Sequence, residues 1–152
     1  MIIRPPSAPD RHDWQQLWEA YLHFYGHQPD RDGTERLWQQ ILDLDDSIEA
    51  LVAESADHLV GMTHYFPHPD TWEAEPVCYL QDLYVEESER GKGVGRSLIR
   101  AVQRRAEIEG WSSVYWHTAE GNTTARRLYD DLTGGYTGFV VYELTEEPST
   151  QR

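Results

Sequence analysis

One cysteine in 152 residues, Cys78, leaves no partner for an intramolecular disulfide and no ligand set for a four-cysteine zinc site. Its own segment offers no histidine partner either, so it reads as a buried strand thiol. Long apolar runs are also missing. No stretch approaches the ~18 apolar residues a membrane span requires, and "MIIRPPSAPD" lacks the apolar core of a secretory signal. These absences point to a soluble, unexported protein of a reducing cytoplasm with no membrane partner. Positive charge is scarce as well: 13 Lys and Arg against 27 Asp and Glu give a formal charge of −14. A nucleic-acid binder needs a basic surface to displace counterions from phosphates, so this balance argues against one and favours cationic partners.

What is present suits a packed globule. Hydrophobic residues make up 39%, including 6 Trp and 9 Tyr. A chain of this size buries its core as one domain, which we place at 1–145, with 146–152 as a flexible C-terminal tail.

The order of elements follows from periodicity. "MIIR" reads as a first strand stopped by Pro5 and Pro6. Trp14, Leu17, Trp18, Tyr21, Leu22 and Tyr25 repeat at three-four spacing, which predicts a helix capped by Asp10 and ended by Gly26 and Pro29. A second, shorter helix starts at a Thr34 cap and buries Leu37, Trp38, Ile41 and Leu42. "SIEALVAE" and "LVGMTHYF" form a hairpin across "SADH", and "VCYLQDLYV" is a long strand. A helix from Val94 to Glu109 follows, then strand "SVYWHT", helix "TTARRLYDDL" and a closing strand "GFVVYEL". The fold class is α/β: a mixed, largely antiparallel central sheet of six to seven strands flanked by about four helices. The helix-connected strand pairs near the C-terminal end should run parallel.

Six of the 13 basic residues fall between Arg90 and Arg105, an island of positive charge in an acidic chain. Arg96, Arg100 and Arg104 recur at fourfold spacing, as on a solvated helix face. "ERGKGVGRSLI" adds Gly91, Gly93 and Gly95 between a strand and a helix. Unpaired amides at such a turn, together with the helix dipole, make an anion cradle, although a tight turn with a helix cap reads the same way. GxxxxGK[ST] is absent, and the strictly alternating glycines do not form GxGxxG, so neither a Walker-type nor a nicotinamide site is indicated.

Arg90, Gly93 and Gly95 after a strand, "LQDLYV" just before them, and "GNTTARRLY" after the next strand together resemble the GNAT acetyltransferase superfamily, with "YWHT…N…ARRLYD" similar to bacterial polyamine and histone acetyltransferase-like members. Asn122, Ala125, Leu128 and Tyr129 match the last motif. The resemblance implies acetyl-CoA as acetyl donor, with no metal. The loop Arg90, Gly91, Lys92, Gly93, Val94, Gly95 and Arg96 would hold the pyrophosphate, and the backbone of Leu83, Tyr84 and Val85 would pair with the pantetheine arm. Asn122 would bond the pantetheine amides or cap its helix. The reaction implied is direct attack by a primary amine in a ternary complex.

An alkylammonium titrates near ~10.4, so a base or a desolvating pocket must remove its proton. The Val85 amide would meet the oxyanion. Tyr129 matches the family's proton donor to the thiolate, yet it also lies on an apolar helix face with Ala125, Leu128 and Leu132. Related polyamine acetyltransferases carry an acidic residue where Gln81 stands, so the expected base is missing. Simple alternation puts Tyr79 and Gln81 on one face of the strand and Asp82 on the other, making Asp82 a substitute base or a structural hydrogen-bond partner. Glu73, Glu75 and His64 also offer water-relayed proton removal.

Tyr25, Tyr79, Gln81 and Trp72 are the candidate acceptor contacts, within a pocket whose aromatics (Tyr21, Phe24) and carboxylates suit a cation. The acceptor would be a polyamine, amino acid, aminoglycoside-like amine or protein lysine. His64 and His68 are separated by Pro67 at a strand end, so they do not share a helical face as paired zinc ligands do. Two other classes stay open at this point: a non-catalytic acetyl-CoA sensor, motivated by Gln81, and a nucleotide-phosphate module. The apolar "GFVVYEL" also suits pairing across a two-fold axis in a homodimer.

Overall fold

A computed structural model describes residues 1–145, which form two compact units, Met1–His117 and a second beginning at Thr118. The tail read as flexible, 146–152, lies outside the described residues.

The first unit holds a five-stranded sheet in sequential order: β1 (Ile2–Arg4), β2 (Glu49–Ser55), β3 (His58–His68), β4 (Val77–Val85) and β5 (Val114–Tyr115). β1 to β4 pair antiparallel, and β5 pairs parallel to β4. That parallel pair is the outcome of the right-handed crossover through α3 (Val94–Glu109). The β2–β3 turn runs through Ala56 and Asp57, both left-handed with φ of 50° and 64°, which suits the twist of a two-residue hairpin.

α1 (Arg11–Phe24) and α2 (Arg31–Leu42) cover one face of the sheet. Trp14, Leu17, Trp38 and Ile41 bury there against Ala50, Val52, Leu59 and Met62. α3 covers the other face with Val94, Leu98, Ile99, Val102 and Ala106. Gly61 permits that approach. A Cβ on it would come within 3.1 Å of both the Tyr84 carbonyl oxygen and Val94 Cγ1.

Helix caps differ in detail from expectation. Asp10 occupies the N-cap position of α1, but its carboxylate serves other donors: the Ser7 amide at 2.7 Å and Arg4 Nη1 at 2.7 Å. The hydrogen bonds from Arg4 hold the Asp10 carboxyl down at about 2. α2 is capped by Asp30, which accepts from the Gly33 amide at 2.8 Å, so the helix begins earlier than the Thr34 cap implied. Asp30 is an equally good capping residue, and the cost of Gly33 inside the first turn is small there.

The second unit contains α4 (Thr123–Thr133), with Ala125, Leu128, Tyr129 and Leu132 half-buried along one stripe. The predicted closing strand "GFVVYEL" is a correction, and with it the count of six to seven strands. Among the described residues the sheet has five strands, and 138–144 is irregular, with Phe139 81% and Tyr142 92% exposed. A β-prone run becomes a strand only where an edge supplies ladder bonds, and among the described residues α4 is the only regular element in its own unit. Among the described residues no helix is long and apolar enough to cross a membrane.

Candidate active site

Asp82 is the centre of the site, and a bulge places it. β3 and β4 pair Met62↔Tyr84, Thr63↔Leu83 and His64↔Asp82, then shift to Tyr65↔Leu80 and Phe66↔Tyr79. Gln81 is the extra residue on β4. A bulge of this kind resets the alternation of side chains, so Asp82 and Tyr79 share the face of His64 and Phe66, covered by α1 and α2. The expectation that Tyr79 and Gln81 face one way and Asp82 the other is thereby overturned. Gln81 is exposed, while Asp82 is 8% exposed.

The Asp82 carboxylate is held from several sides. Oδ2 lies 2.9 Å from His64 Nδ1. His64, 2% exposed, sits under α1, with the Trp14 indole N–H donating to its Nε2 at 3.0 Å and the Trp18 ring edge-on at 5.4 Å. The main-chain carbonyl of Asp82 accepts from the buried Thr63 hydroxyl at 2.8 Å. Tyr21 lies beside the carboxylate; burial, and then the charge of Asp82, push its phenol well above the ordinary value. Tyr25 and Tyr79 are raised for the same first reason, with Asp82 again contributing. These three phenols therefore stay protonated donors around a carboxylate. Burial likewise pushes the Cys78 thiol up to about 12, which removes it as a nucleophile.

A cavity of about 400 Å³ opens between α1, α2 and the sheet. Asp82, His64, Gln81 and Phe66 form its sheet wall, and Trp18 and Arg36 stand on its helical walls. Of the sequence-derived acceptor contacts, Gln81 borders the cavity, whereas Tyr25 and Tyr79 feel the charge of Asp82 without lining the cavity. Trp72 lies on the loop after β3, 88% exposed, and does not line the cavity. The Tyr79 hydroxyl is engaged with His117 Nδ1 at 3.2 Å, and its ring stacks on Tyr115 at 5.1 Å. His64 carried a weak signal, having been one of several water-relay candidates. Trp14 carried only a helix-face signal, and Tyr21 stood among the aromatics of the expected acceptor pocket.

Among the described residues no strand pairs with the β5-side edge of β4 beyond Tyr79. β5 pairs only opposite Cys78 and Tyr79. The bond from the Glu86 amide to the Val60 carbonyl, 2.9 Å, sets the phase of the β3–β4 ladder. Alternation then turns the amides and carbonyls of Leu83 and Val85 away from β3, toward the uncovered side. Tyr84 lies between them with its side chain on the α1 face, against the core.

The loop into α3 follows directly. Gly91 and Gly93 have φ of 76° and 84°, and a Cβ on either would meet nothing within 4 Å. Among the described residues none of the amides from Gly91 to Gly95 reaches a backbone carbonyl; the first bond of α3 is Ser97 N–H to the Gly93 carbonyl at 3.0 Å. Backbone donors, open space and a helix N-terminus coincide there, the donor set that a pyrophosphate requires. The basic side chains are partly committed elsewhere. Arg90 donates from Nε to the Val85 carbonyl at 3.1 Å and lies over the Tyr84 ring, and Lys92 pairs with Glu89 at 3.0 Å. In the second unit Asn122 precedes α4, with its Nδ2 3.4 Å from the Thr118 hydroxyl, and Ala125 and Tyr129 lie one and two turns on. Among the described residues no group of three or more metal-ligating side chains clusters.

The sequence profile of the acetyltransferase (GNAT) family matches residues 14–134, a span that includes the carboxylate, the loop and α4. The chain is 34% identical over 140 residues to the D-amino-acid N-acetyltransferase HPA3 of Saccharomyces cerevisiae, covering 85% of this chain and 81% of that protein. It is 31% identical over 147 residues to the uncharacterized N-acetyltransferase YhfO of Bacillus subtilis, covering 95% and 97%. A crystal structure of a probable acetyltransferase superposes with a TM-score of 0.84 at 20% identity, covering 97% of this chain and 99% of the other.

Proposed function

Because the chain belongs to the acetyltransferase (GNAT) family and is an acyltransferase, we propose that it acetylates the primary amine of a small acceptor, with Asp82 as the group that takes the amine proton. The observation that carries this reading is the buried Asp82 carboxylate at the wall of the cavity, beside the protonated Tyr21 phenol.

An ammonium group entering the cavity meets a carboxylate with few competing waters, which both attracts it and accepts its proton. The Trp18 and Phe66 rings, which line the cavity, add faces suited to a cation. Arg36 and Asp82 line the same cavity, a cation and an anion together, which favours an amino-acid-like acceptor over a polyamine. The name of the yeast relative is in keeping with that choice.

Acetyl-CoA, when bound, supplies the activated acyl group. The amides of Gly91 to Gly95 would hold its pyrophosphate, with Arg96 adding charge, and the outward-turned groups of Leu83 and Val85 would orient its pantetheine arm. The Val85 amide is the donor assigned to negative charge on the acyl oxygen. Tyr129 is assigned the proton for the departing sulfur, and Asn122 and Ala125 the contacts beside the arm. All of these roles are read from motif and backbone chemistry.

Incubation with acetyl-CoA and a panel of D- and L-amino acids, ornithine, spermidine and an aminoglycoside, with release of free thiol followed, tests the reading. We expect turnover with amino-acid amines above all. Coenzyme A binding without turnover of any amine overturns it and leaves a sensor domain.

A further inference from the structure

The His64 ring has one proton to place and two neighbours that decide where it goes. Trp14 Nε1–H can only donate, and it meets Nε2 at 3.0 Å. Nε2 must therefore present a lone pair, so the ring proton sits on Nδ1, which faces Asp82 Oδ2 at 2.9 Å. Both partners come from rigid elements. Trp14 is fully buried on α1, tilted against Trp38 at 4.9 Å, and His64 lies in the middle of β3. A second ring proton would put two N–H groups face to face at the Trp14 contact in a buried site.

We propose that His64 is a positioning residue for the catalytic carboxylate: tryptophan-locked as the neutral Nδ1–H tautomer, it fixes Oδ2 of Asp82 and so orients the carboxylate, beside the Tyr21 phenol, to receive the amine proton on Oδ1. This inference rests on the proposed role of Asp82.

The lock has a chemical purpose. A cationic imidazolium against the carboxylate would hold its negative charge in place and weaken it as a base; a neutral donor orients the same oxygen without that penalty. The other groups facing this cluster are Tyr21 and Tyr25 from α1 and its end, Tyr79 from β4, and His27, Asp30 and Arg36 around the cavity from the α1–α2 side. Among the described residues, His64 makes its hydrogen bonds with Trp14 at Nε2 and Asp82 at Nδ1, and none of these other groups is bonded to its ring.

The first test needs no activity. Long-range proton–nitrogen NMR of the wild-type protein should show His64 with its proton on Nδ1 and a bare Nε2 at neutral pH. An Nε2–H tautomer or a doubly protonated ring overturns the proposal, whatever becomes of the acetyltransferase reading. That reading fails separately, if the wild type turns over no amine.

The second test is kinetic. His64→Leu should lower kcat about 30-fold or more with KM for acetyl-CoA within twofold. His64→Asn, whose amide can donate from the Nδ1 position, should recover at least tenfold of that loss. In Trp14→Phe the ring gains a free lone pair and can take a second proton, so the acid limb of the kcat/KM profile should move up by half a unit or more. Equal activity in the Leu and Asn variants, or an acid limb unmoved in Trp14→Phe, overturns the positioning role.

Discussion

Tyr79 and Asp82, three residues apart on one strand, face the same side of the sheet because Gln81 between them is bulged out of the ladder. The bulge converts a spacing that alternation would place on opposite faces into a shared site. It brings the carboxylate against His64 and Tyr21 on the α1 side, and leaves Gln81 exposed where it lines the cavity.

Deletion of Gln81 should therefore be tolerated. Without the extra residue the ladder runs unbroken, Leu80 opposite Tyr65 and Asp82 opposite His64, so both side chains keep their faces. We expect turnover and melting temperature to stay near those of the wild type, read by thiol release and thermal denaturation. Loss of turnover would mean that the local bend of the bulge, and not the pairing of Asp82 with His64, positions the carboxylate.

Asp82→Asn keeps an acceptor for the His64 Nδ1–H but cannot take a proton. Its kcat should fall by about 10²- to 10³-fold, the usual scale for loss of a general base. The KM for acetyl-CoA should change little, because the carboxylate lies away from the glycine loop in the ladder. Steady-state kinetics at several pH values check this, and the lost activity should be partly restored at high pH, where more of the acceptor amine is already neutral.

Tyr129→Phe separates proton donation from packing. The ring and its half-buried stripe with Ala125, Leu128 and Leu132 are retained, so the melting temperature should hold. If the hydroxyl supplies the proton for the sulfur, kcat should fall on the order of 10²-fold while the affinity for coenzyme A is preserved. Unchanged kcat assigns the residue to packing.

Gly93→Glu places a side chain and a negative charge in the open space of the cradle, on a backbone with φ of 84°. The left-handed conformation costs a non-glycine residue about 1–2 kcal/mol, a loss the fold can absorb. Coenzyme A binding should be abolished in calorimetry, since the charge would repel a pyrophosphate held on backbone amides.

Asp10 links acid stability to the first strand. Its carboxyl is held down at about 2, chiefly by hydrogen bonds from Arg4, against an ordinary value of 3.8. A depressed folded-state value means the stabilisation is fully present above pH 4 and is lost as the pH falls toward 2. Arg4 is partly exposed, which limits the contribution to at most about 2 kcal/mol. Urea denaturation of Asp10→Asn against wild type should show a deficit of that order at pH 6 that shrinks by pH 2.5.

Much of the framework was legible from local pattern. The bounds of β4 and α3, the hairpin turn and the amphipathic stripe of α4 follow from period and from turn residues, because each depends on a few consecutive side chains. The glycine loop was legible for the same reason: a strand, alternating glycines and a helix start are contiguous in sequence. The closing strand "GFVVYEL" was misread, since its composition is β-prone but a strand needs a partner edge that no local pattern reveals.

The sequence by itself determined where phosphate-binding amides can be presented and which residues could carry charge into an aromatic pocket. Only the tertiary structure decided that Asp82, and not Gln81, is the buried one of the two at the cavity wall, and that His64, itself bonded by Trp14, holds it. Strand register and a one-residue bulge are set by how β3 and β4, paired at His64 and Asp82 18 residues apart, pack under α1, and that balance of long-range contacts leaves no periodic trace in the chain.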